Sequence, residues 1–489
     1  MKKLLVAALM VLVASPAFAA IQNVKVSGSV TSYFVDRSDF DFKVAADAPS
    51  FQQNFFYTST HVLIASDLSD NVSAQVGLAN EVAWGDQNLE NSTTGGGTVS
   101  NASDQQVDLE LANVTLREFL YSPLTITIGR QSLTYGNDFI IGAGGGDSVG
   151  TMANVATDMS RTQNYDGIRA VLDYKPLTID MVYVKTNSNC LSGGLGNTNA
   201  GTATCTGVGN DDQNLYGTVA NYQLNDPFST VVTGSFWARI DDSKNTDFKG
   251  AKAGTLFVPD LQVSTNPTKD LSLGLEGATQ SGTYVNTAAE NNGAGPNVNR
   301  NESRTDVWAM QAKANYNIPV LTKYKPALAE TFSYYSGQNI KDTTNNSETK
   351  YHAWDPMFND QDLGTRIWRA LFTYSDLETS ELSFQVNPLE DVTAQVVWTD
   401  LFAPAGLSTA GYASGLYQYS ASLPDLNSPT LAVTKKTGLG NEVDGILTYN
   451  YTEDVTFGLN VGLFVPGDAF KSSNNAVAKE AIASVGVNF

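Results

Sequence analysis

From about residue 24 to the C-terminus, apolar and polar residues alternate in short segments, and the links joining those segments alternate in length. Val455, Phe457, Leu459, Val461, Leu463 and Val465 share one face of such a segment, with Thr456, Gly458, Asn460, Gly462 and Phe464 on the other. Ala481, Ala483, Val485, Val487 and Phe489 repeat the pattern, and so do Val392, Ala394, Val396 and Trp398. Period two with one apolar face specifies a β-strand. Strands are predicted over 24–37, 55–68, 72–86, 107–121, 124–135, 165–174, 177–188, 213–224, 229–241, 253–264, 271–285, 305–317, 326–338, 379–388, 392–403, 440–451, 455–467 and 479–489. Ser69-Asp70-Asn71, Ser122-Pro123, Lys175-Pro176, Leu389-Glu390-Asp391 and Thr452-Glu453-Asp454 are tight turns, whereas 87–106, 136–164, 189–212, 286–304, 339–378 and 404–439 are long polar links. A soluble sandwich has no reason to keep its short links on one rim and its long ones on the other. An outer-membrane barrel does.

The bilayer explains the closure. Backbone N–H and C=O groups cannot reach water inside hydrocarbon, so only a sheet without edges survives there. The expectation is an all-β fold: a closed antiparallel transmembrane β-barrel of about eighteen strands, sixteen being the neighbouring even count. Its long loops are extracellular, and its short turns and both termini periplasmic. Apolar residues then face lipid and polar ones line a lumen. Trp84, Tyr121, Tyr174, Trp398, Tyr451 and Phe464 suit interfacial girdles, and Phe489 closes the last strand.

Residues 1–19 stand apart. Lys2 and Lys3 begin a leader, Leu4 to Val13 is apolar, and Ala17-Phe18-Ala19 is a small-x-small cleavage site. This is a cleaved signal peptide, because the apolar run is far short of the roughly 20 residues of a spanning helix. Residues 20–489 then form a single barrel domain. A net charge of −21 argues against nucleic acid as a partner. Two His and two Cys leave little for a metal centre, a cofactor or a catalytic imidazole. His61 lies on a strand and His352 on a distant loop, with no visible partner, so no enzyme is expected. Cys190 and Cys205 share one predicted loop and, in an oxidising compartment, read as a disulfide restricting that loop by roughly 3 kcal/mol.

Several stretches resemble the alginate-export family of outer-membrane porins. Leu116-Arg117-Glu118-Phe119-Leu120, followed by Ile128-Gly129-Arg130-Gln131-Ser132-Leu133-Thr134-Tyr135-Gly136, is similar to the family's Arg-Glu-aromatic strand, turn and Gly-Arg-Gln strand. Tyr165-Asp166-Gly167-Ile168-Arg169 resembles the strand that follows, and Ser336-Gly337 after Phe332-Ser333-Tyr334-Tyr335 is a weaker echo. Gly440-Asn441-Glu442-Val443-Asp444 and Phe464-Val465-Pro466-Gly467 resemble the closing hairpin. The resemblance implies an eighteen-stranded monomeric barrel, with basic residues in the lumen guiding an anionic polysaccharide.

Parity along the strands supplies the lumen candidates. Arg169, Arg239 and Lys313 fall inward, and Arg117 does so if Leu116 and Leu120 face lipid. Arg130 shares parity with Ile128, which places it outward unless a bulge at Gly129 re-aims it or it stands above the membrane edge; the bulge is the favoured expectation. Glu81, Asp173, Asp180, Glu276, Glu442 and Asp444 also fall inward. Mixed in this way, the charges form either an ion-paired wall or a selectivity track, with Arg117, Arg130, Arg169 and Arg239 attracting anions. Gly142-Ala143-Gly144-Gly145-Gly146-Asp147 lacks the Gly-Lys-Ser/Thr ending of a phosphate cradle and reads as a flexible loop, one that folds into the lumen in many barrels. Trp354-Asp355-Pro356-Met357-Phe358, with Arg366 and Arg369, is either a second plug or a helix packed on the outer rim.

The chain is therefore expected to form a water-filled channel in the bacterial outer membrane, its partners lipid and small hydrophilic solutes, oligosaccharides or organic anions among them. Two rivals stand beside it: a structural or adhesive surface barrel, and an alginate-like polysaccharide exporter.

Overall fold

The computed structural model of the chain describes residues 23–43, 52–84, 107–121, 123–142, 157–160, 164–187, 213–241, 254–286, 300–338, 350–359, 366–406, 437–470 and 475–489. The leader 1–19, Cys190 and Cys205, and Ala143 to Asp147 lie outside the described residues. One sheet contains nineteen strand segments, and setting aside the two-residue piece Lys350–Tyr351 leaves eighteen wall strands. The first six are β1 (Asn23–Ser38), β2 (Gln52–Ser69), β3 (Val72–Ala83), β4 (Asp108–Leu116), β5 (Leu124–Gln131) and β6 (Tyr165–Asp173). Next come β7 (Leu177–Asn187), β8 (Gln213–Gln223), β9 (Val231–Asp241), β10 (Gly254–Thr268), β11 (Leu271–Asn286) and β12 (Arg300–Asn317). The last are β13 (Ala327–Tyr335), β14 (Leu377–Leu389), β15 (Val392–Phe402), β16 (Gly438–Asn450), β17 (Val455–Pro466) and β18 (Ala478–Asn488).

Every wall strand pairs antiparallel with its sequence neighbours, and β1 pairs with β18 from Ser29↔Asn488 to Ser38↔Lys479. The sheet is thus closed. At the seam Gly28 and Phe489 exchange two backbone hydrogen bonds of 2.9 and 3.0 Å. Only glycine fits there: a Cβ on Gly28 would stand 2.4 Å from the His61 carbonyl and 2.8 Å from the Phe489 ring.

Burial alternates as the sequence predicts. On β17, Phe457, Leu459, Val461, Leu463 and Val465 are all exposed, while inward Asn460 and Phe464 are buried. A continuous apolar exterior of this kind is stable only against lipid. No described helix is long and apolar enough to cross a membrane; the strands make the crossing. Trp84, Tyr121, Tyr174, Trp398 and Tyr451 are exposed, but Phe464 is not. It points inward and packs 5.4 Å from the Phe42 ring and 5.8 Å from that of Phe372, because it shares parity with Asn460 rather than with Leu463.

The apolar core lies inside the barrel. Pieces of several connections fold into the lumen: Phe40 and Phe42 after β1, Leu133 to Ile141 after β5, and Trp354 to Phe358 and Ile367 to Phe372 after β13. Ile141 and Phe358 form a parallel bridge, extended by Gly142 N–H to the Phe358 carbonyl (2.8 Å) and Phe358 N–H to the Ile140 carbonyl (3.1 Å). Phe139 is wedged between Tyr335 and Trp354, with ring centroids 5.5 and 6.2 Å away. Helix α1 (Ile367–Leu371) buries Ile367, Trp368, Ala370 and Leu371 against this cluster. The Trp354 segment is therefore a plug, not a rim helix.

Candidate functional site

The plug is held by charge. Glu442, on the inner face of β16, is fully buried and accepts hydrogen bonds from the backbone N–H groups of Ile367 (2.8 Å) and Trp368 (2.7 Å). These are the orphan donors at the start of α1, and a carboxylate there satisfies them and the helix dipole together. Asp444 is equally buried beside it, with Arg366 as its main compensating charge. Arg366 and Arg369 both contact Glu381 of β14, Arg369 at 3.3 Å.

On the other side of the lumen Arg239 grips the loop residue Asp355, its Nη1 donating to Oδ1 at 3.2 Å and its Nη2 to Oδ2. Arg304 joins from β12, its Nη2 donating to Oδ2 at 3.1 Å. Burial pushes the Asp355 carboxyl up, but the two guanidinium groups outweigh it and hold the carboxyl below its ordinary value. Gln280 adds a reciprocal pair to the Asp355 backbone, at 2.6 and 2.9 Å.

The remaining candidates divide. Arg169 binds Asp180 across β6 and β7, Nε to Oδ2 at 2.7 Å, and Tyr135 donates its hydroxyl to the same oxygen at 3.0 Å. Glu276 accepts from the Asn137 side chain at 3.3 Å, with Lys313 and Asp260 acting on it electrostatically. Glu81 is buried and accepts the Ser59 hydroxyl at 3.3 Å. Asp173 is exposed at the end of β6, where the Lys175 N–H and the Thr178 hydroxyl donate to it at 3.3 and 3.5 Å.

Two arginines leave the inward set. β4 ends at Leu116, and Arg117 is exposed in the turn that follows, its N–H bonded to the Asn71 carbonyl. The chain bends there because Glu118, Leu120 and Tyr121 all take positive φ. Arg130 stays on the outward face with Ile128, its Nε 3.9 Å from Asp166. The expected bulge at Gly129 does not form: the register runs unbroken through Asn113↔Gly129 and Ala112↔Arg130, and Gly129 absorbs the local twist with φ +120.

A bulge does form across the neighbouring strand pair. Gly77 pairs with Leu111 and Leu78 with Leu109, leaving Glu110 as the extra residue. Its carboxylate meets His61 Nδ1 at 3.0 Å, and His61 Nε2 meets the Ser59 hydroxyl at 3.0 Å. With the Ser59 hydroxyl also bonded to Glu81, the four side chains tie β2, β3 and β4 together across the wall. Parity on β1 would have found Arg37, which binds Glu480 and Asp158, each at 2.6 Å. Asp355 and Asp158 carry no such signal, since loops have no period.

A cavity of about 190 Å³ opens against the inner wall, lined by Lys313, Arg366, Arg369 and Glu381 with Gln311 and Thr331. Three cations and one carboxylate line it, with Asp444 beside Arg366 and Glu276 near Lys313 just outside the lining.

The comparisons follow this architecture. The family model described as alginate export matches residues 204–484. OccAB2 of Acinetobacter baumannii superposes with a TM-score of 0.52 at 11% identity, over 96% of this chain and 98% of that one. OccAB1 of the same organism gives 0.51 at 14%, over 97% and 99%. A BenF-like porin of Pseudomonas fluorescens Pf-5 gives 0.51 at 11%, over 96% and 100%. Comparison with curated protein sequences returned no significant match. With more than half of its length matched by the family model, on a closed eighteen-stranded wall shared with solved porins, the chain belongs to the alginate export family of bacterial outer-membrane β-barrels.

Proposed function

We propose that this barrel is a porin channel for small hydrophilic solutes, oligosaccharides and organic anions among them, with a lumen that favours anions. The carrying observation is the cavity walled by Lys313, Arg366 and Arg369. Its hydroxyl and amide lining matches the hydrogen-bonding needs of sugars and carboxylates, and its three cations share one lining carboxylate, Glu381, in an enclosed setting where salt screens less than in open water. Arg169 contributes less to such a field, because Asp180 neutralises it one to one at contact distance. Family membership favours a second reading, export of an anionic polysaccharide, which would use the same cationic wall.

The test is the reversal potential across a KCl gradient in a planar bilayer. Anion preference is expected in the native protein, reduced when Lys313→Gln and Arg369→Gln are combined. A strong cation preference unchanged by those substitutions would overturn the anion bias, and absence of any conductance would favour a structural or adhesive barrel. Block of the current by a polyuronate but not by its monomer would favour the exporter.

A further inference from the structure

The Asp355 contact has more donors than its occupant uses. Arg304 is almost wholly buried, its side chain 4% exposed, yet Nε and Nη1 have no hydrogen-bond partner among the described residues. A structural arginine at that depth ordinarily has its donors satisfied, because each orphan costs desolvation energy. The guanidinium is also held in place by two rings. Its central carbon lies 5.3 Å from the Tyr284 ring and 5.1 Å from that of Tyr351, and the two rings stack 3.9 Å apart. Beside it opens a second cavity of about 150 Å³, bounded by Arg239, Arg304 and Asp355 and lined further by Gln213, Thr255, Thr283 and a second carboxylate, Asp241. Two guanidinium groups, spare donors, hydroxyl and amide side chains and a small void together describe a carboxylate site.

We propose that Arg239 and Arg304 form a binding site for a small hydroxy-carboxylate solute, occupied at rest by the plug's own Asp355 carboxylate. The exchange conserves charge: one carboxylate leaves the two guanidinium groups for water as another arrives. The incoming group also reaches donors that Asp355 leaves idle, and its hydroxyl finds Thr255 or Thr283. Because the competitor is tethered, the solute must match an effective concentration on the order of millimolar. Displacement frees the side chain that anchors Trp354 to Phe358, leaving the Gln280 pair to hold the backbone. The proposal deepens the channel reading and rests on it only for the solute's access from the lumen.

Trp354, buried one residue from the site, is the reporter. Detergent-solubilised full-length protein is titrated with sodium lactate, and tryptophan emission is compared with titrations in sodium chloride and in 1,2-propanediol. A saturable change with lactate alone, lost in Trp354→Phe, is expected. Asp355→Asn, which weakens the internal competitor, should bind lactate about tenfold more tightly. Arg304→Gln should abolish the response; if that variant fails to fold by heat-modifiable migration, Arg304→Lys keeps the charge and should weaken lactate about tenfold. A lactate response equal to that of chloride, or native-like affinity in Asp355→Asn, overturns the proposal. The assay measures no current, so a silent bilayer beside saturable lactate binding would count against the channel reading and leave this site standing.

Discussion

Arg169 on β6 and Asp180 on β7 meet across neighbouring strands, whereas Arg239 on β9 and Asp355 meet across the gap between the wall and a loop. The first pair adds to a ladder that eight backbone pairings between those strands already hold in register. The second, like the Glu442 contact with α1, joins parts that no ladder connects. Wall pairs therefore stiffen what is already fixed, and wall-to-loop contacts decide whether the lumen is filled.

That contrast is broken most severely at Glu442. Glu442→Ala leaves two buried amides of α1 without an acceptor, a loss of about 3 kcal/mol. Hydrogen exchange at Ile367 and Trp368 should accelerate on the order of 100-fold. Asp180→Ala should leave those amides unchanged and cost the wall about 1 kcal/mol, because Arg169 is partly exposed and solvent screens it. Equal acceleration in both variants would erase the distinction.

Acidification sharpens the comparison within the plug's own loop. Asp355 is held below its ordinary carboxylate value, so its stabilising contribution is present above pH 3.8 and is lost only as pH falls through the depressed value. Asp376, which accepts the Ala405 N–H at 2.7 Å, is pushed up to about 6 by burial. Its contribution is complete below pH 3.8 and lost as pH rises through about 6. Between pH 7 and pH 5 the Trp354 emission should stay constant while the barrel's unfolding temperature rises, and Asp376→Asn should flatten that rise. An emission change already at pH 5 would mean that Asp355 does not hold the plug.

The smallest effect is expected at Arg130. Arg130→Ala removes a pair with an Asp166 whose side chain is 64% exposed, worth less than about 1 kcal/mol, and should leave the reversal potential unchanged. A measurable loss of anion preference would return it to the solute path.

The strands were legible in the sequence because one face of each meets lipid and the other does not. Period two placed β17 over 455–467 against the observed Val455–Pro466, and put Glu442 and Asp444 inward. Periodicity failed where the backbone leaves the ladder. Arg117 falls in a turn of positive-φ residues, Glu110 sits on a bulge, and Arg304 lies at an end of β12 that extends beyond the predicted 305–317. The plug's anchors were the least legible. Asp355 acquires meaning only from Arg239 and Arg304, 116 and 51 positions away. The longest resemblance was read in residues 116–169, outside the stretch that the family model matches, 204–484.

The β1–β18 seam bears on how such a molecule comes to exist. Ser29 finds its partner in Asn488, so the strand made first waits for the strand made last. Any sheet formed before that partner is available carries two open edges, each a template for pairing with other chains. Biogenesis is accordingly all or nothing. The polypeptide has to be kept apart from its own kind until β18 is available, and a product that stops before β18 leaves β1 without its partner.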